Sequence, residues 1–247
     1  MAATLYPEEI PSQVNVIENL LNGYKYDVIH SNQIFPTETV ISKYGLPVIQ
    51  TIHSEILGEE VPCNNPLVLK YICVRQSIYD DIKQTSPFIP EDKLIMIPNG
   101  INFNKFKNCK NVCDDAVGFF GTISPCRKHF LIDTMARCKQ EGKRLYIIDP
   151  FLCGSGKPTN DNVVYLPQTR NMAEYYDLVN EVVDLNFGRL TFEALYCGKK
   201  VKEYIIDRNY NITGTFYVDK NSINLSDYDI EVVVDNLINV YQNILSK

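Results

Sequence analysis

The chain has 247 residues, of which 45% are hydrophobic and 22% are charged, and its formal net charge is −6. This size and apolar content suffice for a folded core and fit one large domain or two small ones. No stretch approaches the roughly 18 uninterrupted apolar residues of a membrane helix, so we expect a soluble protein without a transmembrane segment. An acidic chain without a long basic stripe is also a poor candidate for nonspecific nucleic-acid binding.

The N-terminus and the cysteines indicate in which cellular compartment the protein resides. The first 13 residues contain two glutamates and two prolines, and they lack the basic and apolar regions of a secretory signal. The eight cysteines form no C-x-x-C pair, which favours reduced thiols over disulfides or zinc. We therefore expect a cytoplasmic protein.

The first part of the chain alternates short β-branched runs with helical stretches. The predicted helices are residues 14–21, 36–43 and 77–83, and the predicted strands are residues 26–30, 47–53, 69–74 and 93–98. Short β-branched runs of this kind are typical of strands buried on both faces. The pattern therefore predicts βα units on a parallel sheet.

The pattern restarts after a polar stretch, residues 102–115, which we interpret as a hinge. The predicted elements that follow are strands at 116–121, 145–149 and 162–166 and helices at 130–141 and 227–245. Two α/β domains are the simplest interpretation, with residues 1–108 in the first and residues 109–247 in the second.

Residues 186–201 carry the most informative local pattern, a glycine turn that leads into a helix with a carboxylate inside it. The free N–H groups at a helix start could receive a pyrophosphate at Phe187 and Gly188, while Glu193 accepts hydrogen bonds from ribose hydroxyls. The alternative is an amphipathic helix packed on a sheet, because Leu190 would be buried in either case.

A second candidate site lies where the strand at 116–121 ends. A glycine turn at Gly121 is followed by two cations, Arg127 and Lys128, just before a helix. Positive groups placed there would stabilise the charge that develops on a diphosphate leaving group. The alternative is an ordinary βα turn with surface cations.

Two further segments are weaker when taken alone. Residues 98–100, Pro-Asn-Gly, form a turn after a predicted strand. His53 ends the predicted strand at 47–53, where open α/β sheets place their ligands, and it could orient an acceptor hydroxyl. A lone histidine is more often a structural residue, and the same holds for His30.

In their order and spacing these segments resemble glycosyltransferase family four, whose members are retaining, nucleotide-sugar-dependent enzymes of the GT-B fold. Residues 27–30 resemble the family's Asp-Val-Ile-His strand, and residues 45–53 resemble its Pro-Val-Val-x-Thr-x-His strand. The matching segments further along are the crossover at 97–102, the donor-phosphate motif at 120–128 and the Phe-Gly-x-x-x-x-Glu-Ala element at 187–201.

The resemblance implies two Rossmann-like domains of GT-B type, an abbreviated acceptor-side domain at 1–108 and a donor domain at 109–247. It also implies a hexosyltransferase-like enzyme that moves a sugar from a nucleotide diphosphate sugar to an acceptor hydroxyl with retention. No cofactor or metal ion is expected, because basic residues and helix ends take the place of a divalent ion. The acceptor, which could be a glycan, a lipid-linked sugar or a nucleic acid, and the oligomeric state stay open.

The resemblance also assigns roles to residues. Glu193 would bind the donor ribose, either Arg127 or Lys128 would hold the pyrophosphate, and His53 would lie on the acceptor side. The predicted catalytic residues are His53, Arg127 and Lys128. The predicted donor-binding residues are Gly121, Thr122, Arg127, Lys128, Phe187, Gly188, Arg189, Leu190, Thr191 and Glu193.

Three departures from the family pattern keep other functions open. Leu185 stands where the family has a first glutamate, Thr122 replaces a phosphate-binding arginine, and the usual N-terminal strand with its glycine-rich loop has no counterpart before Asp27. One alternative is a noncatalytic glycosyltransferase-like subunit. Another is an enzyme that acts on a modified base in viral DNA, which the locally basic segment 101–150 would permit.

Overall fold

The computed structural model describes residues 26–32, 34–54, 60–110, 115–121, 125–148, 161–207, 209 and 211–246. The predicted helix at 14–21, the N-terminal departure from the family and the candidate residue Thr122 lie outside these residues. The chain divides into two compact units, Met1–Met96 with Tyr241–Lys247, and Ile97–Val240. Each unit contains a β-sheet of its own, and the domain boundary after residue 108 stays a prediction.

The first unit contains a four-stranded parallel sheet in the order β1-β2-β3-β4. Its strands are β1 (Ile29–Ser31), β2 (Val48–Ile52), β3 (Val68–Cys73) and β4 (Leu94–Met96), with helices α1 (Ile34–Tyr44) and α2 (Gln76–Thr85). Helix α2 buries Ile78 and Ile82, which lie one turn apart, against this sheet. The predicted βα units are confirmed. The prediction of strands buried on both faces holds for β2, whereas β4 exposes Met96.

The second unit contains a six-stranded sheet in the order β10-β9-β8-β5-β6-β7, parallel except for β10, which is antiparallel to β9. Its strands are β5 (Ala116–Phe119), β6 (Arg144–Ile148), β7 (Val163–Leu166), β8 (Glu181–Leu185), β9 (Lys200–Ile206) and β10 (Ile212–Tyr217). Its helices are α3 (Pro125–Glu141), α4 (Met172–Tyr176) and α5 (Arg189–Tyr196), and α6 (Ile230–Leu245) follows. The sequence predicted β5, β6 and β7 but missed β8, β9 and β10.

The core of the second unit reaches into the stretch that the sequence marked as polar. A short 3-10 helix, Phe103–Phe106, buries both of its phenylalanines in this core. Phe103 stacks on Tyr196 with ring centroids 4.4 Å apart, and Phe106 meets the edge of Tyr176. Aromatic burial therefore fixes residues 103–106 against helices α4 and α5.

The described residues bear on two expectations from composition, which concern membrane-spanning helices and the state of the cysteines. No helix among them is long and apolar enough to cross a membrane. The cysteines that the structure describes, Cys63, Cys73, Cys109, Cys138 and Cys197, are free thiols.

Candidate functional site

The second sheet has a topological switch point. From β5 the chain runs to β6 and β7 on one side, then returns to β8 and β9 on the other. Open α/β sheets bind ligands outside the carboxyl ends of the strands at such a point. Gly121 follows β5 and residues 186–188 follow β8, so the two donor-binding segments predicted separately from the sequence meet at one edge of this sheet.

The turn after β8 has an unusual backbone. Asn186 and Phe187 both have positive φ angles, 49° and 53°, a conformation that a bulky side chain such as phenylalanine rarely adopts. The Asn186 side chain accepts a hydrogen bond from the Ile206 amide at 3.0 Å, and the Phe187 amide donates to Oε2 of Glu203 at 3.1 Å. Strand β9 thus holds the turn in a conformation of the kind that concentrates at ligand sites.

Helix α5 begins directly after this turn, with Gly188 as its N-cap. A Cβ atom on Gly188 would lie 2.6 Å from Oδ2 of Asp184, so glycine is the residue that fits above this carboxylate. Oδ2 of Asp184 also accepts from the Thr191 amide at 3.1 Å. Within the described part of the chain, the amides of Arg189 and Leu190 have no protein acceptor, and they remain available to an anion.

Arg127, in the first turn of α3, lies over Gly121. A Cβ atom on Gly121 would come within 1.4 Å of Nη1 of Arg127, so the glycine leaves the room that the guanidinium occupies. Nη2 of Arg127 lies 3.9 Å from Oδ1 of Asp184, which is fully buried, while Arg127 keeps 25% of its side chain exposed. Burial raises the pKa of Asp184, and the charge of Arg127 opposes this rise.

The close contact between Gly121 and Arg127 gives a first prediction. We expect Gly121→Ala to displace the guanidinium and to weaken the binding of a nucleoside diphosphate about tenfold. Isothermal titration calorimetry with UDP measures the change. Gly214→Ala in β10 is the control, because its Cβ would meet no atom closer than 3.9 Å. Unchanged affinity in Gly121→Ala would remove Arg127 from the diphosphate site.

Glu193 lies in α5 with its carboxylate almost completely buried. Oε2 accepts from the Tyr176 hydroxyl at 2.9 Å, and Oε1 accepts from Nε of Arg189 at 2.5 Å. Burial raises the pKa of Glu193, although Arg189 and Tyr176 act in the opposite direction. The Arg189 side chain is 56% exposed and can move away, so ribose hydroxyls could take its place on Oε1. Ribose binding by Glu193 stays a prediction.

The other predicted donor-binding residues differ in accessibility. Lys128 is exposed and forms no ion pair among the described residues, whereas Arg127 points towards Asp184. Thr191 is fully buried, and Leu190 packs partly against the core. The geometry therefore favours Arg127 over Lys128 as the pyrophosphate ligand, and it gives Thr191 a supporting position behind the helix start.

His53 lies directly after β2 in the first unit, at the carboxyl edge of that sheet. Its backbone amide donates to Oε2 of Glu60 at 2.9 Å. Burial lowers the pKa of the His53 imidazole, and the charges of His30 and Arg75 lower it further. A neutral imidazole at this edge can accept a proton or a hydrogen bond from a hydroxyl group.

The structure gives His30 a structural role. Its Nδ1 lies 2.5 Å from the Tyr241 hydroxyl oxygen, and its Nε2 lies 2.5 Å from Oγ1 of Thr51. Both ring nitrogens are therefore occupied by side chains of the same unit. This agrees with the interpretation of His30 as a satisfied structural histidine.

Sequence reasoning missed Asp184, Glu203 and Tyr176 as parts of the site. Each is a buried polar side chain that contacts α5 or the turn before it. The available signal was weak: Asp184 and Glu203 each stand next to apolar residues in the segments 181–185 and 200–206. Among the described residues no group of three or more histidine, cysteine, aspartate or glutamate side chains could hold a metal ion.

Comparison with known proteins supports the resemblance drawn from the motifs. Residues 4–105 match the family model described as Glycosyltransferase Family 4. No curated protein matches the sequence.

Solved structures share the fold over most of the chain. HepE from Anabaena in complex with UDP and glucose has a TM-score of 0.67 at 14% identity, covering 93% of this chain and 81% of HepE. In its UDP-glucose complex the TM-score is 0.61 at 18% identity, covering 77% of this chain and 62% of HepE. A glycosyltransferase from Rickettsia africae has a TM-score of 0.63 at 12% identity, covering 96% of this chain and 83% of that one. Identities this low establish the fold alone, and the predicted pair of Rossmann-like α/β domains is confirmed.

Proposed function

We propose that this chain, which has the GT-B fold and the motifs of family four, is a nucleotide-sugar-dependent glycosyltransferase. It would move a sugar, as a hexosyltransferase does, from a nucleoside diphosphate to an acceptor hydroxyl. The observation that carries the proposal is the convergence of Arg127, the open amides of helix α5 and Glu193 at the switch point of one sheet. HepE, which shares the fold, was solved with UDP-glucose.

The donor site divides into a phosphate part and a ribose part. The amides of Arg189 and Leu190 and the guanidinium of Arg127 present positive charge to a diphosphate. Glu193 accepts from the ribose hydroxyls once Arg189 has moved aside. Ring contact at 5.9 Å between Phe187 and Phe216 gives the turn an apolar flank.

The chemistry needs little from the protein beyond positioning and charge. Negative charge accumulates on the leaving diphosphate in the transition state, where Arg127 and the helix start stabilise it. In the retaining scheme that we propose, the leaving diphosphate would accept the proton of the incoming hydroxyl, so no protein nucleophile is required. His53 would orient the acceptor, and we propose that no metal ion takes part.

We also propose a cellular location for the protein and the classes of acceptor that it could use. The free thiols of the described cysteines support a cytoplasmic location. Glycan, lipid-linked and nucleic-acid acceptors remain candidates, because a few pocket contacts decide among them.

The test is a panel of uridine, guanosine and adenosine diphosphate sugars in a thermal-shift assay, followed by calorimetry with the best donor. A ligand present at 100 times its Kd should stabilise the fold by about 2.7 kcal/mol. We expect Arg127→Ala to weaken binding about 10- to 100-fold, because a charge-assisted contact with the diphosphate would be lost. Lys139→Ala, an exposed lysine on the same helix, is the matched control. A wild-type protein that binds no member of the panel would overturn the proposal.

One observation favours the noncatalytic alternative. Leu185, which stands where the family has its first glutamate, ends a wholly buried strand. The sugar-directed carboxylate is therefore absent from that position. Donor binding without hydrolysis or transfer to any acceptor tested would support a noncatalytic subunit, whereas turnover would exclude it.

A further inference from the structure

Two buried carboxyl groups meet behind the donor turn. Asp184 of β8 and Glu203 of β9 are paired in the parallel register of these strands, and they are 1% and 0% exposed. Both contact the hydroxyl of Thr191. The distance from Thr191 Oγ1 to Oδ2 of Asp184 is 3.1 Å, and the same oxygen is hydrogen-bonded to Oε1 of Glu203.

The number of hydrogens around Thr191 decides the charge of this cluster. The hydroxyl has a single hydrogen, which it can donate to only one of the two carboxyl oxygens. The other contact then needs a hydrogen on the carboxyl group, because two buried oxygens that face each other without a hydrogen repel. The geometry is satisfied when the two carboxyl groups together hold one proton. Burial, which raises the pKa of Asp184, acts in the same direction.

The neighbouring charges agree with one net negative charge on the cluster. Helix α3 contributes Arg127, 3.9 Å from Asp184, while its Asp133 and Arg137 contact Tyr204 and Glu181 instead. Helix α4 contributes the Tyr176 hydroxyl. Helix α5 contributes Glu193 and Arg189, which pair with each other. Among the described residues, the guanidinium of Arg127 therefore lies beside the Asp184 side of this cluster.

The same two carboxyl groups hold the backbone that would bind the donor. Glu203 accepts from the amide of Phe187, and Asp184 accepts from the amide of Thr191. These contacts fix the positive-φ turn and the first turn of α5, whose open amides belong to Arg189 and Leu190. Asp184 also faces the guanidinium of Arg127. The cluster therefore orients both parts of the phosphate site without touching a ligand itself.

We propose that Asp184 and Glu203 are positioning residues for the donor diphosphate, that they share one proton through the Thr191 hydroxyl, and that losing this proton loosens the turn. The positioning part rests on the proposed function, whereas the shared proton does not. When the proton is lost, Asp184 and Glu203 both carry a negative charge. These two charges repel each other and also repel an incoming diphosphate. Donor affinity is then highest while the proton is held.

The shared proton is tested without any ligand by comparing Glu203→Gln with the wild type. Glutamine supplies a permanent hydrogen to Thr191 and keeps an oxygen for the Phe187 amide, so it imitates the protonated pair. The folded wild type then holds a proton that the unfolded chain lacks at neutral pH. Its unfolding equilibrium constant should rise about tenfold per pH unit relative to Glu203→Gln between pH 6 and pH 8. Parallel stability curves over this range would overturn the shared proton.

Two variants of Thr191 serve as controls that keep both carboxyl groups. Thr191→Ser retains the hydroxyl and should reproduce the wild-type pH dependence. Thr191→Val removes the hydroxyl and should alter it. Identical pH dependence in the serine and valine variants would contradict sharing through the hydroxyl.

The positioning role is tested by donor kinetics once a donor is known. We expect Glu203→Gln to keep the donor KM within about threefold at pH 7 and to retain affinity at alkaline pH, where the wild type loses it. Glu203→Ala should raise the donor KM more than tenfold with a smaller change in kcat. Equal losses in KM and kcat for both variants would indicate a general structural role. A wild type without nucleotide binding would remove the proposed function but leave the pH comparison intact.

Discussion

Replacement of Glu193 by alanine is expected to lower nucleotide-sugar binding and transfer at least about 100-fold. The carboxylate is the group proposed to accept from the ribose hydroxyls, and hydrogen bonds to a charged acceptor contribute about 1.5–3 kcal/mol each. The variant should also be less stable by about 1–3 kcal/mol. The reason is that the fully buried Tyr176 hydroxyl loses its acceptor.

Two further variants separate binding from stability at this carboxylate. Tyr176→Phe removes the buried hydroxyl and keeps the carboxylate, so it should lower donor affinity far less than Glu193→Ala. Arg189→Ala frees Oε1 of Glu193 and should leave affinity within about threefold of the wild type or improve it. Calorimetry with the best donor and urea denaturation measure the two effects. Wild-type affinity in Glu193→Ala would show that the carboxylate does not bind the donor.

Protonation of Glu193 should limit donor binding at acidic pH. Burial raises its pKa above the usual value of 4.5, and a protonated carboxyl group loses the charge that strengthens its hydrogen bonds with ribose. Affinity should therefore begin to fall at a higher pH than an exposed glutamate would dictate.

Several elements could be predicted from the sequence because their own residues follow a local pattern. Strand β2 has β-branched residues at four of its five positions, and α2 shows its apolar residues one turn apart. Strand β9 was missed because lysines and a glutamate interrupt its apolar residues. The structure accommodates these polar residues within a largely buried strand, because Lys200 is exposed and Glu203 is hydrogen-bonded to Thr191 and Phe187.

The residues of the candidate site also fall into a group that could be predicted from the sequence and a group that could not. Gly121, Arg127, Gly188 and Glu193 could be proposed from the sequence, because each belongs to a local turn or helix start with a known preference for phosphate or ribose. Asp184 and Glu203 could not. Their relation arises from the register of two neighbouring strands, and no local pattern in the sequence encodes which residues of β8 and β9 lie side by side.

The amino end of β8 is held by a buried ion pair, and breaking it should produce the largest change in stability. Nη2 of Arg137 in α3 is hydrogen-bonded to Oε1 of Glu181, and Oε2 accepts from the Tyr217 hydroxyl at 3.1 Å. Among the described residues, Glu181→Leu would leave the mostly buried guanidinium with the carboxylate of Glu141, 3.5 Å away and partly exposed. We expect this variant to lose about 3–5 kcal/mol of unfolding free energy.

A double-mutant cycle distinguishes the ion pair from simple packing. Arg137→Met combined with Glu181→Leu replaces both charges by apolar groups and should recover most of the loss, because neither charge is then left alone. Glu141→Gln should cost less than about 1 kcal/mol, since its carboxylate is partly exposed. Glu181 lies three residues from Asp184, roughly 10 Å along the strand. The folded fraction of Glu181→Leu should therefore bind a nucleoside diphosphate with near wild-type affinity, whereas a joint loss of stability and affinity would mean that the two ends of β8 are coupled.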